Sequence, residues 1–114
     1  MQEKNIVKLL LSLGIPPSLK GFRARVYAVE MILKDPSALD QVTKRIYPEV
    51  AKRMGSTANR IERAIRHAVE VMFDYQDTEE IIATLGLPTN LHKSKYTNSE
   101  FLSLCALKLR GTAS

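Results

Sequence analysis

From Tyr47 to Val71 the chain reads YPEVAKRMGSTANRIERAIRHAVEV, two runs of helical periodicity divided by a single glycine. No other segment constrains the fold as strongly. Pro48 has the fixed φ that suits a first helical turn, Gly55 suits a left-handed stop, and Thr57 carries a hydroxyl able to cap the next helix. Ala51, four residues before Gly55, lets two helices approach closely, and Val50, Met54, Ile61 and Ile65 fill the space between them. Two short helices joined in this way have the form of a helix-turn-helix, predicted here over residues 47–74. Ordinary helix pairs share part of this pattern, so the placement of charge has to decide.

The rest of the chain is helical in period as well. Ile6, Leu9, Leu10 and Leu13 lie at helix spacing, and Gly14 with Pro16 and Pro17 ends that run. Ser18 is the expected cap of a second helix through about Lys34, with Phe22, Val26, Val29 and Leu33 inward and Gly21 weakening its first turn. Asp35 and Pro36 punctuate, and Ser37 is the expected cap of a third helix in which Leu39, Val42 and Ile46 face the core. A short helix is expected from Glu79 to Leu85, stopped by Gly86. After the loop LPTNLHKSKY, Thr97 and Glu100 have the spacing of a capping box for a last helix with Leu102, Cys105, Ala106 and Leu109 inward. No period-two run bounded by turns is present, so the expected fold is an all-α single domain of about six or seven helices.

A chain of 114 residues holds one hydrophobic core and is too short for two ordinary domains. Its apolar runs fall short of a membrane span and its N-terminus lacks the order of a signal peptide, which predicts a soluble, cytoplasmic protein with no membrane partner. Cys105, the lone cysteine, sits in FLSLCALKL and reads as a small buried hydrophobe; no disulfide within the chain is possible.

The net charge of +5 is unevenly spread. From Gln41 to His67 the chain carries Lys44, Arg45, Lys52, Arg53, Arg60, Arg63 and Arg66 against only Glu49 and Glu62. From Ala68 to Asn90 it carries Glu70, Asp74, Asp77, Glu79 and Glu80 with no lysine or arginine. A basic block suits nucleic acid or an anionic surface, and an acidic block beside it suits a second, basic partner. Two solvated faces of compensating charge would give the same counts.

At about 100° per residue, Ile61, Ile65, Ala68 and Met72 fall on one line of the helix after Gly55, with Asn59, Arg63, Arg66 and Glu70 opposite and Arg60, Glu62 and His67 on the margins. A recognition helix buries one side in its own domain and offers the other, near its N-terminus, to base edges in the major groove. Arginine bonds guanine O6 and N7 together and glutamate accepts from cytosine N4, so Arg60, Glu62 and Arg63 are the expected base contacts, with Asn59 and Arg66 secondary. Spacing alone leaves Glu62 open, because Glu62 and Arg66 also have the order of an ordinary i, i+4 surface pair. Ser56 and Thr57, at the helix start, are expected at phosphate, together with His67 and the loop lysines Lys93 and Lys95, although a helix-flank histidine and a solvated loop would place these three in the same way. The acidic stretch QDTEEIIATLG is either a surface for a basic part of RNA polymerase or a helix covering the core.

Enzyme signals are absent. His67, His92 and Cys105 lack metal-site spacing, no glycine-rich phosphate loop is present, and no serine or cysteine nucleophile has a visible base, so no catalytic residue, metal or cofactor is expected.

SLKGF at 18–22, VTKRIYPEVAKRM at 42–54, TANRIERAIRHAVEV at 57–71, and TNSEF with KLR near the end together resemble the C-terminal effector domain of the sporulation master response regulator, the stage-zero transcription factor of endospore-forming bacteria. The resemblance covers nearly the whole chain. It implies an all-helical DNA-binding domain that recognises TGTCGAA-type promoter boxes, often in tandem, and activates some genes while repressing others. Arg60, Glu62 and Arg63 would face bases, and residues 76–89, with Glu79, Glu80 and Leu85, would lie towards the polymerase sigma subunit, although that region matches less closely. It further implies a domain that is monomeric in solution and pairs head-to-tail on tandem sites. Such proteins carry an N-terminal receiver domain, for which this sequence has no strand-helix alternation, so the 114 residues are expected to be a fragment. Two other readings compete: a helical interaction module whose basic helix docks on an acidic partner, and a non-specific or RNA-binding helical domain.

Overall fold

A computed structural model of the chain describes residues 2–86 and 98–113. Six α-helices follow one another: α1 (Gln2–Ser12), α2 (Lys20–Lys34), α3 (Tyr47–Met54), α4 (Ala58–Tyr75), α5 (Thr78–Leu85) and α6 (Asn98–Ala113). Between α2 and α3 the backbone tightens into a 3-10 turn, Pro36–Gln41, and then widens into a π turn, Val42–Ile46. Among the described residues there is no strand, and none of their helices is long and apolar enough to cross a membrane.

The core forms around α2, which lies against α1, α3, α4 and α6. A helix covered on so many sides needs more than one apolar stripe, and α2 buries Phe22, Ala24, Val26, Ala28, Val29 and Ile32. Ile32 is fully buried, whereas Leu33 only packs against the edge of the core. The expected inward faces of α1 and α6 are both in place. Ile6, Leu10, Leu13, Leu102 and Cys105 are fully enclosed, as is Phe101.

Two expected caps are replaced. Helix α2 begins at Lys20, with Leu19 in the cap position and no side-chain cap, so Ser18 belongs to the preceding turn. That turn is held by the Leu19 N–H donating to the Pro16 carbonyl at 3.2 Å. At the next junction Asp35, not Ser37, is the cap: its Oδ1 accepts from the Ser37 N–H at 3.1 Å and from the Ser37 hydroxyl at 2.7 Å. The expected third helix is therefore a 3-10 turn followed by a π turn. Ala38, Val42 and Ile46 are buried there, while Leu39 is only half-buried. The Thr97 end of the expected capping box lies outside the described residues.

Gly21 decides how α2 meets α4. A Cβ at this position would lie 2.1 Å from the Ala64 carbonyl oxygen and 2.8 Å from the Ala68 Cβ. The glycine expected to weaken α2 is what allows its first turn to rest on the backbone of α4.

Candidate nucleic-acid interface

Helices α3 and α4 and the turn between them build the candidate site. Gly55 ends α3 at φ 62°, ψ 41°, a left-handed conformation that glycine adopts without steric cost. The Ser56 N–H then donates back to the Ala51 carbonyl at 2.8 Å, closing the turn over one of the last free acceptors of α3. Thr57 takes up the extended cap conformation, and its Oγ1 accepts from the Arg60 N–H at 3.3 Å. The sequence thus turns sharply after Met54 and launches α4 in a fixed direction.

Helix α4 is strongly two-faced. Ile61, Ile65, Ala68, Val69 and Met72 are buried, with Val50 and Ala51 of α3 enclosed beside them. Asn59, Arg60, Arg63, Arg66, His67 and Glu70 are exposed, and Glu62 is half-buried at the margin. The residues expected at bases therefore share the outward side of one helix.

Their electrostatic states differ. Arg66 Nη2 donates to Glu62 Oε1, the i, i+4 surface pair that the spacing of the two residues allows. Arg53 is held over the Tyr27 ring, 3.8 Å from its centroid, and against Glu30 at 3.3 Å. Arg45 pairs with Asp35 at 2.8 Å, and the Asp35 carboxyl is held below its ordinary range by the Ser37 hydroxyl first and by Arg45 next. Arg60 and Arg63 have no carboxylate partner among the described residues, and the first turn of α4 contains no acid. What stays uncompensated is thus the cationic group at the N-terminal half of the exposed face, where the helix dipole also favours an anion.

Ser56 is half-buried in the turn and Thr57 is exposed beside it. Lys20 reaches across from α2 and donates from Nζ to Ser56 Oγ at 2.9 Å. Nothing in the sequence spacing signals this contact, because the two residues lie 36 positions apart. Lys93 and Lys95, the other expected phosphate contacts, fall outside the described residues.

On α5, Glu79 and Glu80 are exposed, whereas Leu85 is 2% exposed and packs in the core with Ile81. Of the three residues expected towards the sigma subunit, only the two glutamates present side chains at the surface. Leu85 falls on the inner side of α5 because Ile81, Ile82 and Leu85 share one stripe of this eight-residue helix. Among the described residues no group of three or more histidine, cysteine, aspartate or glutamate side chains gathers as a metal site would.

An all-helical domain that seats one face of a turn-launched helix in its core and presents exposed arginines on the other has the design of a DNA-binding transcription regulator. Residues 6–109 match the family model described as Sporulation initiation factor Spo0A C terminal, and the chain belongs to that family. It is accordingly a DNA-binding, transcription-regulating domain of the sporulation response-regulator type.

Proposed function

We propose that this domain binds double-stranded promoter DNA sequence-specifically, with α4 in the major groove of TGTCGAA-type boxes. Arg60, Glu62 and Arg63 read base edges, and Asn59 and Arg66 contribute at the flanks of the same face. Ser56, Thr57 and His67 contact phosphate, joined by Lys93 and Lys95. Tandem boxes seat copies head-to-tail, and the exposed Glu79 and Glu80 of α5 turn towards a basic surface of the polymerase sigma subunit. The bound domain activates or represses according to where its box lies relative to the polymerase.

The observation that carries this reading is the pair Arg60 and Arg63, exposed and without a carboxylate partner among the described residues, on a helix whose other face is buried. A guanidinium left free in this way can form two parallel hydrogen bonds to guanine O6 and N7, a contact worth roughly 1–3 kcal/mol of discrimination. The expected result for Arg63→Ala is a loss of roughly 10- to 100-fold in affinity for the intact box, with discrimination vanishing at one base-pair position in a set of singly substituted duplexes. An Arg63→Ala domain that still ranks every substituted duplex as the parent does removes Arg63 from the reading face. If the parent itself ranks none of them, docking of the basic helix on an acidic protein becomes the better account.

A further inference from the structure

We propose that Lys20, from outside the helix-turn-helix, is a phosphate-binding residue that forms one DNA-backbone clamp with Ser56; the inference rests on the DNA-binding reading above.

Three features of the structure carry it. The first is position. Lys20 is the first residue of α2, and its neighbour Gly21 sits so close to α4 that an added Cβ would be 2.1 Å from the Ala64 carbonyl oxygen. The backbone bearing Lys20 is therefore fixed relative to the reading helix, and a charge held there acts at a set distance from the bases.

The second is the balance of donors and acceptors. Lys20 Nζ donates to Ser56 Oγ, and among the described residues the ammonium has no carboxylate partner. An ammonium has three N–H donors and no acceptor, so two remain. The Ser56 hydroxyl accepts from Lys20, and no acceptor for its own proton is found among the described residues. The pair thus presents the two remaining ammonium donors and the hydroxyl proton together, and a phosphate oxygen supplies the acceptor that they lack among the described residues.

The third is the sign of the surroundings. Helix α4 has no acid in its first turn, and exposed Arg60 and Arg63 follow at once. Lys20, held at Ser56 just before this helix start, adds to the same positive region, which a bound phosphate neutralises. Lys20 and Ser56 would fix how α4 enters the groove without reading sequence themselves, in the manner of backbone contacts generally.

Fluorescence anisotropy with a tandem TGTCGAA duplex and a scrambled duplex of equal length, across a series of salt concentrations, tests the clamp with Lys20→Ala and Lys20→Gln. One lost phosphate contact lowers the magnitude of the salt slope by about 0.9 and weakens binding about fivefold near 0.15 M salt, equally on both duplexes. In a series of duplexes each bearing one methylphosphonate, the Lys20→Ala penalty is expected to vanish at a single phosphate position. Unchanged slope and affinity in both variants would overturn the proposal. So would a loss confined to the TGTCGAA duplex, which would make Lys20 a base contact. Failure of the base-reading proposal shows separately, as equal binding of the two duplexes by the unsubstituted domain.

Discussion

Arg25 and Cys105 show how far a single residue can depart from what its sequence neighbours suggest. Arg25 is 0% exposed, and its guanidinium carbon lies 4.9 Å from the Phe101 ring centroid. Burial lowers its pKa, while Cys105 and Tyr47 beside it act the other way. Nothing in KGFRARVYAVE separates Arg25 from the exposed Arg23, because the helices that pack over α2, α6 with Cys105 and α3 with Tyr47 among them, enclose it. Cys105 was legible, since a lone cysteine among leucines reads as a small hydrophobe, and it is fully buried. Burial pushes its thiol up to about 11 from an ordinary 9.0, against the pull of Arg25. A folded-state pKa above the unfolded one means that the native state keeps its proton longer. This stabilising contribution is complete below about pH 9 and is lost as the pH rises towards 11, at on the order of 1 kcal/mol per pH unit. Urea denaturation from pH 8 to 11 is expected to show that alkaline loss in the parent and a shallower one in Cys105→Ala. Parallel pH profiles would remove the thiol as its source.

At the scale of elements, periodicity identified the helices and misjudged two of their starts. Thr57 caps α4 and Gly55 and Gly86 stop α3 and α5 because each acts within its own turn, where sequence and geometry coincide. Ser18 and Ser37 fail as caps for a local reason that spacing does not reveal. The chain through Pro16 to Leu19 closes its own turn, and Asp35 reaches the Ser37 N–H first. Gly21 is the reverse case, where a residue weak in helix propensity is retained because α4 lies against it. Gly21→Ala gains helix propensity of up to about 1 kcal/mol yet is expected to lower stability by about 1–3 kcal/mol net, since the Ala64 carbonyl cannot yield as a flexible side chain would. A lower urea midpoint with an unchanged m-value would show it. A midpoint at or above the parent's would mean that α2 shifts along α4 at little cost.

Over the described residues, charge changes sign along the chain. The basic block of the sequence runs from the π turn over the outward side of α3 and the first half of α4, and the acidic block begins on α4 itself, at Glu70 and Asp74, and continues to the exposed Glu79 and Glu80 of α5. This division was legible because charge on a solvated helix face needs no tertiary information. The partners of the charges were not. Arg45, Arg53 and Arg66 meet carboxylates, two of them on other elements, whereas Arg60 and Arg63 meet none among the described residues, and Lys20 joins the turn from 36 residues away. The candidate reading face was therefore visible in TANRIERAIRHAVEV, and its electrostatic focus emerged only with the fold.

The central claim is that this face reads sequence and does more than attract phosphate. Fluorescence anisotropy of the domain on the tandem TGTCGAA duplex and its scrambled counterpart, at physiological salt, tests it most directly. The account predicts an affinity ratio on the order of 10³ or more in favour of the TGTCGAA duplex, within the range by which specific DNA binding exceeds non-specific binding. Equal affinities that fall steeply together as salt is raised would contradict it and leave the basic helix a sensor of negative charge alone.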